Sequence, residues 1–112
     1  MALKCEEYNN VCVIGLGGDL STEASTELRK LVEERIEQRQ CHDFVIDFEK
    51  AAFCDSEGLE TLIWLKRRCE DLFGQVKIIN LDENCKKILE VTRLEHRFEC
   101  HADLTGALKT MR

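Results

Sequence analysis

The sequence contains no proline among its 112 residues, and no stretch rich in glycine and serine divides it. Such stretches are typical of linkers between domains, so we expect one domain over residues 1–112. No apolar run approaches the roughly 20 residues that a membrane-spanning helix needs. The N-terminal segment MALKCEEYNN also lacks the apolar core of a signal peptide. These absences predict a cytoplasmic protein without direct membrane contact.

An excess of positive charge is lacking as well. The chain has 16 Lys and Arg residues against 22 Asp and Glu residues, which gives a net charge of −6 at pH 7. A nucleic-acid backbone demands a basic surface, and an anionic membrane attracts basic segments. The charge therefore argues against both as partners.

The seven cysteines include no C-x-x-C pair. This predicts neither a disulfide framework nor a zinc ribbon. Most of them lie in apolar segments, as Cys12 does between Val11 and Val13, where a reduced cysteine acts as a small hydrophobic side chain. We therefore expect reduced, structural cysteines and no metal site.

The apolar residues alternate between strand-like runs and helical periods in the order ββαβαβαβα. We expect strands over residues 3–8, 11–16, 41–48, 75–81 and 98–100. We expect helices that begin at Ser21 or Thr22, at Asp55 or Ser56 (ending at a Gly74 C-cap), at Asp82 and at Asp103. This order predicts an α/β fold, in which helices are layered on a mixed β-sheet.

The run FVIDF at residues 44–48 is almost continuously apolar, which suits a strand that is covered on both faces. We expect it at the centre of the sheet, with Val45 and Ile46 buried. Asp47 should then lie near the end of the strand or face a polar gap, because an unpaired buried carboxylate costs free energy.

A glycine-rich turn over Gly15–Gly18 could hold a phosphate. Leu20, however, stands where a dinucleotide-binding fingerprint has its third glycine, and no P-loop lysine follows. A nucleotide or phosphate turn at Gly17, Gly18 and Asp19 is therefore a weak alternative to a plain strand-to-helix turn.

The sequence gives little support for catalysis or for metal binding. No nucleophile with a supporting base emerges from the sequence. His96, Cys100 and His101 have no partner pair at metal-site spacing. We expect no enzyme activity and no cofactor.

The strongest pattern is the segment DSEGL, Asp55–Leu59, just before a long helical period. Ser56 would project from a helix N-terminus, where free N–H groups and the helix dipole favour an anion. Plain N-capping by Asp55 or Ser56 explains the same residues. The pattern alone leaves both interpretations open.

In the helix that follows, Leu59, Leu62 and Cys69 fall on one side. Trp64 falls on the far side, together with Glu57, Glu60, Thr61, Arg67 and Arg68. Exposed tryptophans are enriched at binding hot spots, so Trp64→Ala is expected to weaken partner binding by about 2 kcal/mol or more and to leave the fold intact. The alternative is a tryptophan that arginine side chains half cover, or that a neighbouring element buries.

At this segment the sequence resembles the anti-sigma-factor antagonist (STAS) family of bacterial regulators. The resemblance extends over nearly the whole chain. Its parts are, in order, Gly18-Asp19-Leu20, FVIDF, DSEGL, VKIINL at residues 76–81 and CKKILEVT at residues 85–92.

The resemblance implies a single STAS domain, and a regulatory rather than a catalytic activity. In the partner-switching branch of the family, the unmodified protein binds an anti-sigma factor that is also a serine kinase. That kinase phosphorylates the serine after the motif's aspartate, which is Ser56 here, and a serine phosphatase reverses the step. With the helix pattern, this predicts a partner-binding surface formed by Asp55, Ser56, Glu57, Gly58, Glu60, Thr61, Trp64 and Arg68.

Two departures and two alternatives accompany the resemblance. Glu57 stands where many members have a second Ser or Thr, and Arg93 where a Gly often follows the Thr. A STAS subunit of a lipid or anion transporter would have no kinase, and its gene would neighbour those of a permease and an ATPase. A ligand sensor would instead bind a nucleotide at the Gly15–Gly18 turn.

Overall fold

The computed structural model describes residues 3–111 as five strands and four helices in the predicted order. The strands are β1 (Lys4–Tyr8), β2 (Val11–Gly15), β3 (Asp43–Asp47), β4 (Val76–Ile79) and β5 (Glu99–His101). The helices are α1 (Thr22–Arg39), α2 (Ser56–Asp71), α3 (Glu83–Val91) and α4 (Leu104–Lys109). The α/β fold with a mixed sheet is confirmed.

The strands form one sheet in the order β1-β2-β3-β4-β5. Only β1 and β2 are antiparallel, and they are joined at Asn9-Asn10, where both residues have positive φ angles as a tight hairpin turn requires. The remaining pairs are parallel. The FVIDF segment therefore supplies the central strand, as expected.

The central strand has the predicted burial. Val45 and Ile46 are fully buried. Asp47 is the last residue of β3, and its Oδ1 accepts hydrogen bonds from the Glu49 backbone N–H at 2.9 Å and from Asn80 Nδ2 at 3.0 Å. The carboxylate that the sequence places in an apolar run is thus paired at the end of the strand.

The two faces of the sheet are covered unequally. One face carries α1, α2 and α3, whose apolar residues pack on Ile14, Phe44, Ile46 and Ile78. The other face carries the short helix α4, over an apolar cluster formed by Val11, Val13, Val45, Ile79, Ala107 and Met111. Since β2 and β3 are parallel, the segments that follow them and lead into α1 and α2 lie at the same edge of the sheet.

Three helices begin at an aspartate that caps them. The Oδ1 atoms of Asp55, Asp82 and Asp103 accept the backbone N–H three residues later, at 2.8 to 2.9 Å. Ser21 precedes α1 but makes no such bond. Local sequence rules therefore locate the starts of these helices well.

The end of α2 differs from the prediction of a Gly74 C-cap. Phe73 takes the left-handed conformation, with a φ of 61°. The Phe73 and Gly74 N–H groups donate to the carbonyls of Glu70 and Cys69, as in a Schellman motif. Gly74 is needed for space, because a Cβ there would lie 1.8 Å from the carbonyl oxygen of His42.

Cys12 and Cys41 are joined in a disulfide, so the expectation that every cysteine is reduced is wrong for this pair. Cys12 lies in β2 and Cys41 lies shortly before β3, the parallel neighbour of β2. Their Cα atoms are 6.6 Å apart, within the range that a bridge can span. Spacing in the sequence does not reveal this pair because strand pairing brings it together.

Reduction of this disulfide should lower the free energy of unfolding by about 3 kcal/mol, because the bridge restricts the unfolded chain. The bridged residues are 29 positions apart. Urea unfolding with and without a reducing agent measures the difference. The control is Cys41→Ser, whose unfolding should not depend on the reducing agent. The bridge predicts five alkylated thiols in denaturant without reductant, and alkylation of all seven would contradict it.

Candidate functional site

Ser56 is the first residue of α2, and its side chain is exposed. The preceding Asp55 is the N-cap, with an extended backbone, and its carboxylate accepts the Gly58 N–H at 2.8 Å. The capping interpretation is therefore confirmed for Asp55. Asp55 caps the helix, which leaves the Ser56 hydroxyl exposed at the helix N-terminus.

The loop before α2 is held by the segment before α1. Asp19 Oδ1 accepts the N–H groups of Ala52 and Phe53 at 2.8 and 3.1 Å. The Leu20 N–H donates to the Phe53 carbonyl, and the Asp55 N–H donates to the Leu20 carbonyl. These four hydrogen bonds hold the backbone of residues 52–55, which leads directly to Ser56.

These hydrogen bonds explain the role of Asp19, the residue that follows the glycine-rich turn. The Asp19 carboxylate, predicted as part of a weak phosphate turn with Gly17 and Gly18, is occupied by the two loop N–H groups. No glycine among residues 3–111 has a positive φ angle. Asp19, which belongs to the weakly predicted phosphate turn, therefore holds the loop that leads to Ser56.

Gly58 is required by the close contact between the same two segments. A Cβ at this position would lie 2.4 Å from the Leu20 carbonyl oxygen and 2.7 Å from Cys54 Sγ. Real Cβ atoms do not approach other atoms this closely, so only glycine lets the first turn of α2 pack against Leu20. The glycine of the DSEGL segment therefore has a packing role.

The expected outer face of α2 is partly wrong. Thr61 is fully buried, and its Oγ1 accepts a hydrogen bond from Arg29 Nε at 3.1 Å. Arg68 Nε is 2.7 Å from Glu33 Oε1. Because Arg29 and Glu33 belong to α1, this side of α2 is the contact between the two helices.

Trp64 lies in the same contact. Its side chain is half-buried against the main core, and the Arg29 guanidinium lies over the ring, 5.3 Å from its centroid. The alternative of a tryptophan half covered by an arginine is confirmed, although the arginine comes from α1. The periodicity of α2 alone gives no information about the position of α1.

The exposed charged residues on the first two turns of α1 and of α2 are acidic. Glu57 and Glu60 are exposed on the first two turns of α2, and Glu23 and Glu27 are exposed on the first two turns of α1. None of these four carboxylates forms an ion pair within residues 3–111. We call these four residues the acidic rim.

The thiols near the site are unreactive. Burial raises the pKa of the Cys54 thiol to about 12, and it also raises the pKa of the Cys85 thiol to about 12. Both are therefore protonated at neutral pH, whereas a nucleophilic cysteine acts as the thiolate. The Ser56 hydroxyl, by contrast, is exposed.

Potential metal ligands lie away from this site. Within the described chain, the group that could hold an ion is Glu7 with Cys12 and Cys41, but the two sulfur atoms are bonded to each other. His101 Nε2 is 2.6 Å from Glu99 Oε2. No helix within residues 3–111 is both long and apolar enough to cross a membrane.

A family profile described as STAS domain matches residues 2–107. An anti-sigma F factor antagonist from Paenibacillus polymyxa is 26% identical over 111 residues, which are 99% of this chain and 84% of the relative. A Thermotoga maritima protein superimposes with a TM-score of 0.91 at 14% identity, over 98% of this chain and 94% of its own.

The anti-sigma factor antagonist SpoIIAA has been solved in two forms. The unphosphorylated form matches at 23% identity with a TM-score of 0.83, over 96% of this chain and 94% of its own. The phosphorylated form, from Bacillus, matches at 23% identity with a TM-score of 0.77, over 99% and 100% of the two chains. At this identity, the likeness shows a shared fold.

The variant Gly58→Ala should lower the free energy of unfolding by about 2 kcal/mol or more, because the added Cβ forces the first turn of α2 away from Leu20. Urea unfolding measures the loss. Gly15→Ala is the matched control, since its nearest contact would be at 4.0 Å, and it should unfold close to wild type. Equal stability of the two variants would contradict the close contact.

The variant Arg29→Ala should shift the emission of Trp64, which is the chain's single tryptophan, to longer wavelength. It removes both the cation over the ring and the hydrogen bond to Thr61, so it should also cost about 1–2 kcal/mol of stability. Lys30→Ala, at an exposed neighbour on α1, is the control. An unchanged spectrum for Arg29→Ala would show that Trp64 is not covered.

Proposed function

Because the chain belongs to the STAS domain family, we propose that it acts as an anti-sigma factor antagonist whose affinity for its partner is set by phosphorylation of Ser56. The observation that carries this proposal is the exposed Ser56 hydroxyl at the first residue of α2, beside a neighbouring aspartate that already caps the helix. The 26% identity with an anti-sigma F factor antagonist supports the same function.

The proposed partner is an anti-sigma factor that is also a serine kinase, and a serine phosphatase would reverse its action. The partner would contact Ser56 together with the exposed Glu57 and Glu60. Asp55 and Gly58 would hold that surface in place. Thr61, Trp64 and Arg68 would support it indirectly, since they face α1.

The position of Ser56 is suitable for phosphoryl transfer. A kinase must bring the terminal phosphate of its nucleotide in line with the attacking hydroxyl oxygen. A serine at the exposed start of a helix offers its hydroxyl without local unfolding. The loop bonds of Asp19 and Leu20 hold the backbone that leads to Ser56 in one place, which reduces the cost of orienting the segment for the kinase.

Phosphorylation should change the stability of the domain little. A phosphoserine adds about −1.5 to −2 charges at pH 7, and a helix N-terminus stabilises an anion by about 0.3–1 kcal/mol. Glu57 and Glu60 repel the phosphate by a comparable amount that the solvent screens. Because Asp55 already caps α2, the phosphate replaces no existing bond.

Binding should change much more than stability. A partner that covers Ser56 removes water from the new charge, and a desolvated charge without a partner costs several kcal/mol. When the partner is the kinase itself, the nucleoside diphosphate that remains in its nucleotide site would also lie opposite the phosphoserine and repel it. A loss of about 3 kcal/mol corresponds to more than a hundredfold in affinity.

Three variants of Ser56 test the switch against a candidate anti-sigma kinase cloned from the same genome. Ser56→Ala should bind with wild-type affinity and should stay bound when ATP is added. Ser56→Asp should bind at least thirtyfold more weakly, because it places a charge in the interface. Ser56→Asn introduces a side chain of the same size as aspartate but without its charge. This variant should therefore bind the kinase much more tightly than Ser56→Asp. Isothermal titration calorimetry gives the affinities, and thermal melts check the fold.

If Ser56→Asp bound as tightly as Ser56→Asn, charge at this position would not control binding, and the proposed switch would fail. Absence of phosphate on Ser56 after incubation with the kinase and ATP, read by mass spectrometry, would have the same consequence. Either result would favour a transporter subunit that has no kinase.

A further inference from the structure

We infer that Phe53 is the apolar anchor through which this chain holds its partner, and that the partner presents an apolar pocket with a cationic border. The inference rests on the proposed function and assigns a residue and a chemistry to its interface. The sequence predicted Trp64 as the hot spot instead. In the structure, the Arg29 guanidinium lies over the Trp64 ring.

Phe53 is unusually exposed for a large apolar residue. The exposed fraction of Phe53 is 52%, although it follows directly on a segment that is tied to the core. Single exposed apolar residues are common on protein surfaces. Phe53 differs because of its place, three residues before Ser56, which puts the two Cα atoms within about 10 Å of each other.

The backbone of Phe53 is already ordered in the free protein. Its N–H donates to Asp19 Oδ1 at 3.1 Å, and its carbonyl accepts the Leu20 N–H at 3.0 Å. Ordering a loop on binding costs free energy that reduces affinity. An aromatic side chain on a backbone that is held at both ends avoids most of that cost, as is typical of interface anchors.

The charges around Phe53 point to a cationic border on the partner. The acidic rim contributes four carboxylates on the first two turns of α1 and α2. The same turns, residues 22–28 and 56–62, contain no Lys or Arg, and the exposed Lys50, three residues before Phe53, is preceded by the exposed Glu49. Complementary charges around an apolar centre speed association and align the two proteins, so the matching partner surface is apolar at its centre and basic around it.

The chain offers a matched control in Phe73. Its exposed fraction is 99%, and it lies beyond the C-terminal end of α2. The helix has 16 residues, which at 1.5 Å per residue gives about 24 Å between its ends. A partner centred on Ser56 and Phe53 has its apolar centre far from Phe73. Two exposed phenylalanines on one domain are therefore expected to differ sharply in their effect on binding.

The test compares Phe53→Ala with Phe73→Ala in binding to the anti-sigma kinase from the same genome. Phe53→Ala should weaken binding at least thirtyfold, and Phe73→Ala should change it less than twofold. Phe53→Leu, which keeps an apolar side chain, should recover part of the affinity. Thermal melts of all three should lie near that of wild type, since neither ring is buried.

A second measurement tests the cationic border. The double variant Glu57→Gln, Glu60→Gln should slow association with the kinase several-fold at low salt, and the difference should disappear at high salt. Stopped-flow or surface plasmon resonance measures the rates. Association that is insensitive both to these changes and to salt would contradict a basic partner surface.

The outcomes separate this inference from the proposed function. If wild type binds and Ser56→Asp does not, but Phe53→Ala binds like wild type, the anchor is wrong and the switch stands. If wild type does not bind the kinase at all, both fail. Equal losses for Phe53→Ala and Phe73→Ala would overturn the placement of the anchor near Ser56.

Discussion

The contact between Leu20 and the first turn of α2 is the constraint on which the rest of the candidate site depends. It consists of two backbone hydrogen bonds, from Leu20 to Phe53 and from Asp55 to Leu20, and of a packing distance that only glycine at position 58 permits. Asp19 strengthens it through two further bonds. With this contact in place, Ser56 and Phe53 have fixed positions before any partner arrives.

Local rules predicted the residues whose role is decided within one turn of chain. The caps at Asp55, Asp82 and Asp103 follow from side-chain chemistry, and the buried central strand follows from an apolar run. The requirement for Gly58 has no such local signal, because its reason is a carbonyl oxygen 38 positions earlier in the chain.

Features that depend on neighbouring elements were predicted less well. The exposed face assigned to Trp64 and Thr61 was a reasonable interpretation of one helix, but α1 lies on that side and supplies Arg29 and Glu33. The disulfide arises in the same way, since Cys12 meets Cys41 only after β2 and β3 have paired. Because α1 occupies this side of α2, the first turn and its preceding loop are the exposed part of the candidate site.

The central claim is that phosphorylation of Ser56 adds charge to a surface whose shape is already fixed. Comparison of ¹H–¹⁵N NMR spectra of the free protein before and after stoichiometric phosphorylation tests this claim most directly. The account predicts shifts confined to the loop before α2 and to its first two turns, about residues 52–60, with the sheet and α1 beyond its first turns unchanged. Shifts that spread through the α1–α2 contact to Trp64 and into β3 would show that the phosphate reshapes the domain, and would contradict the account.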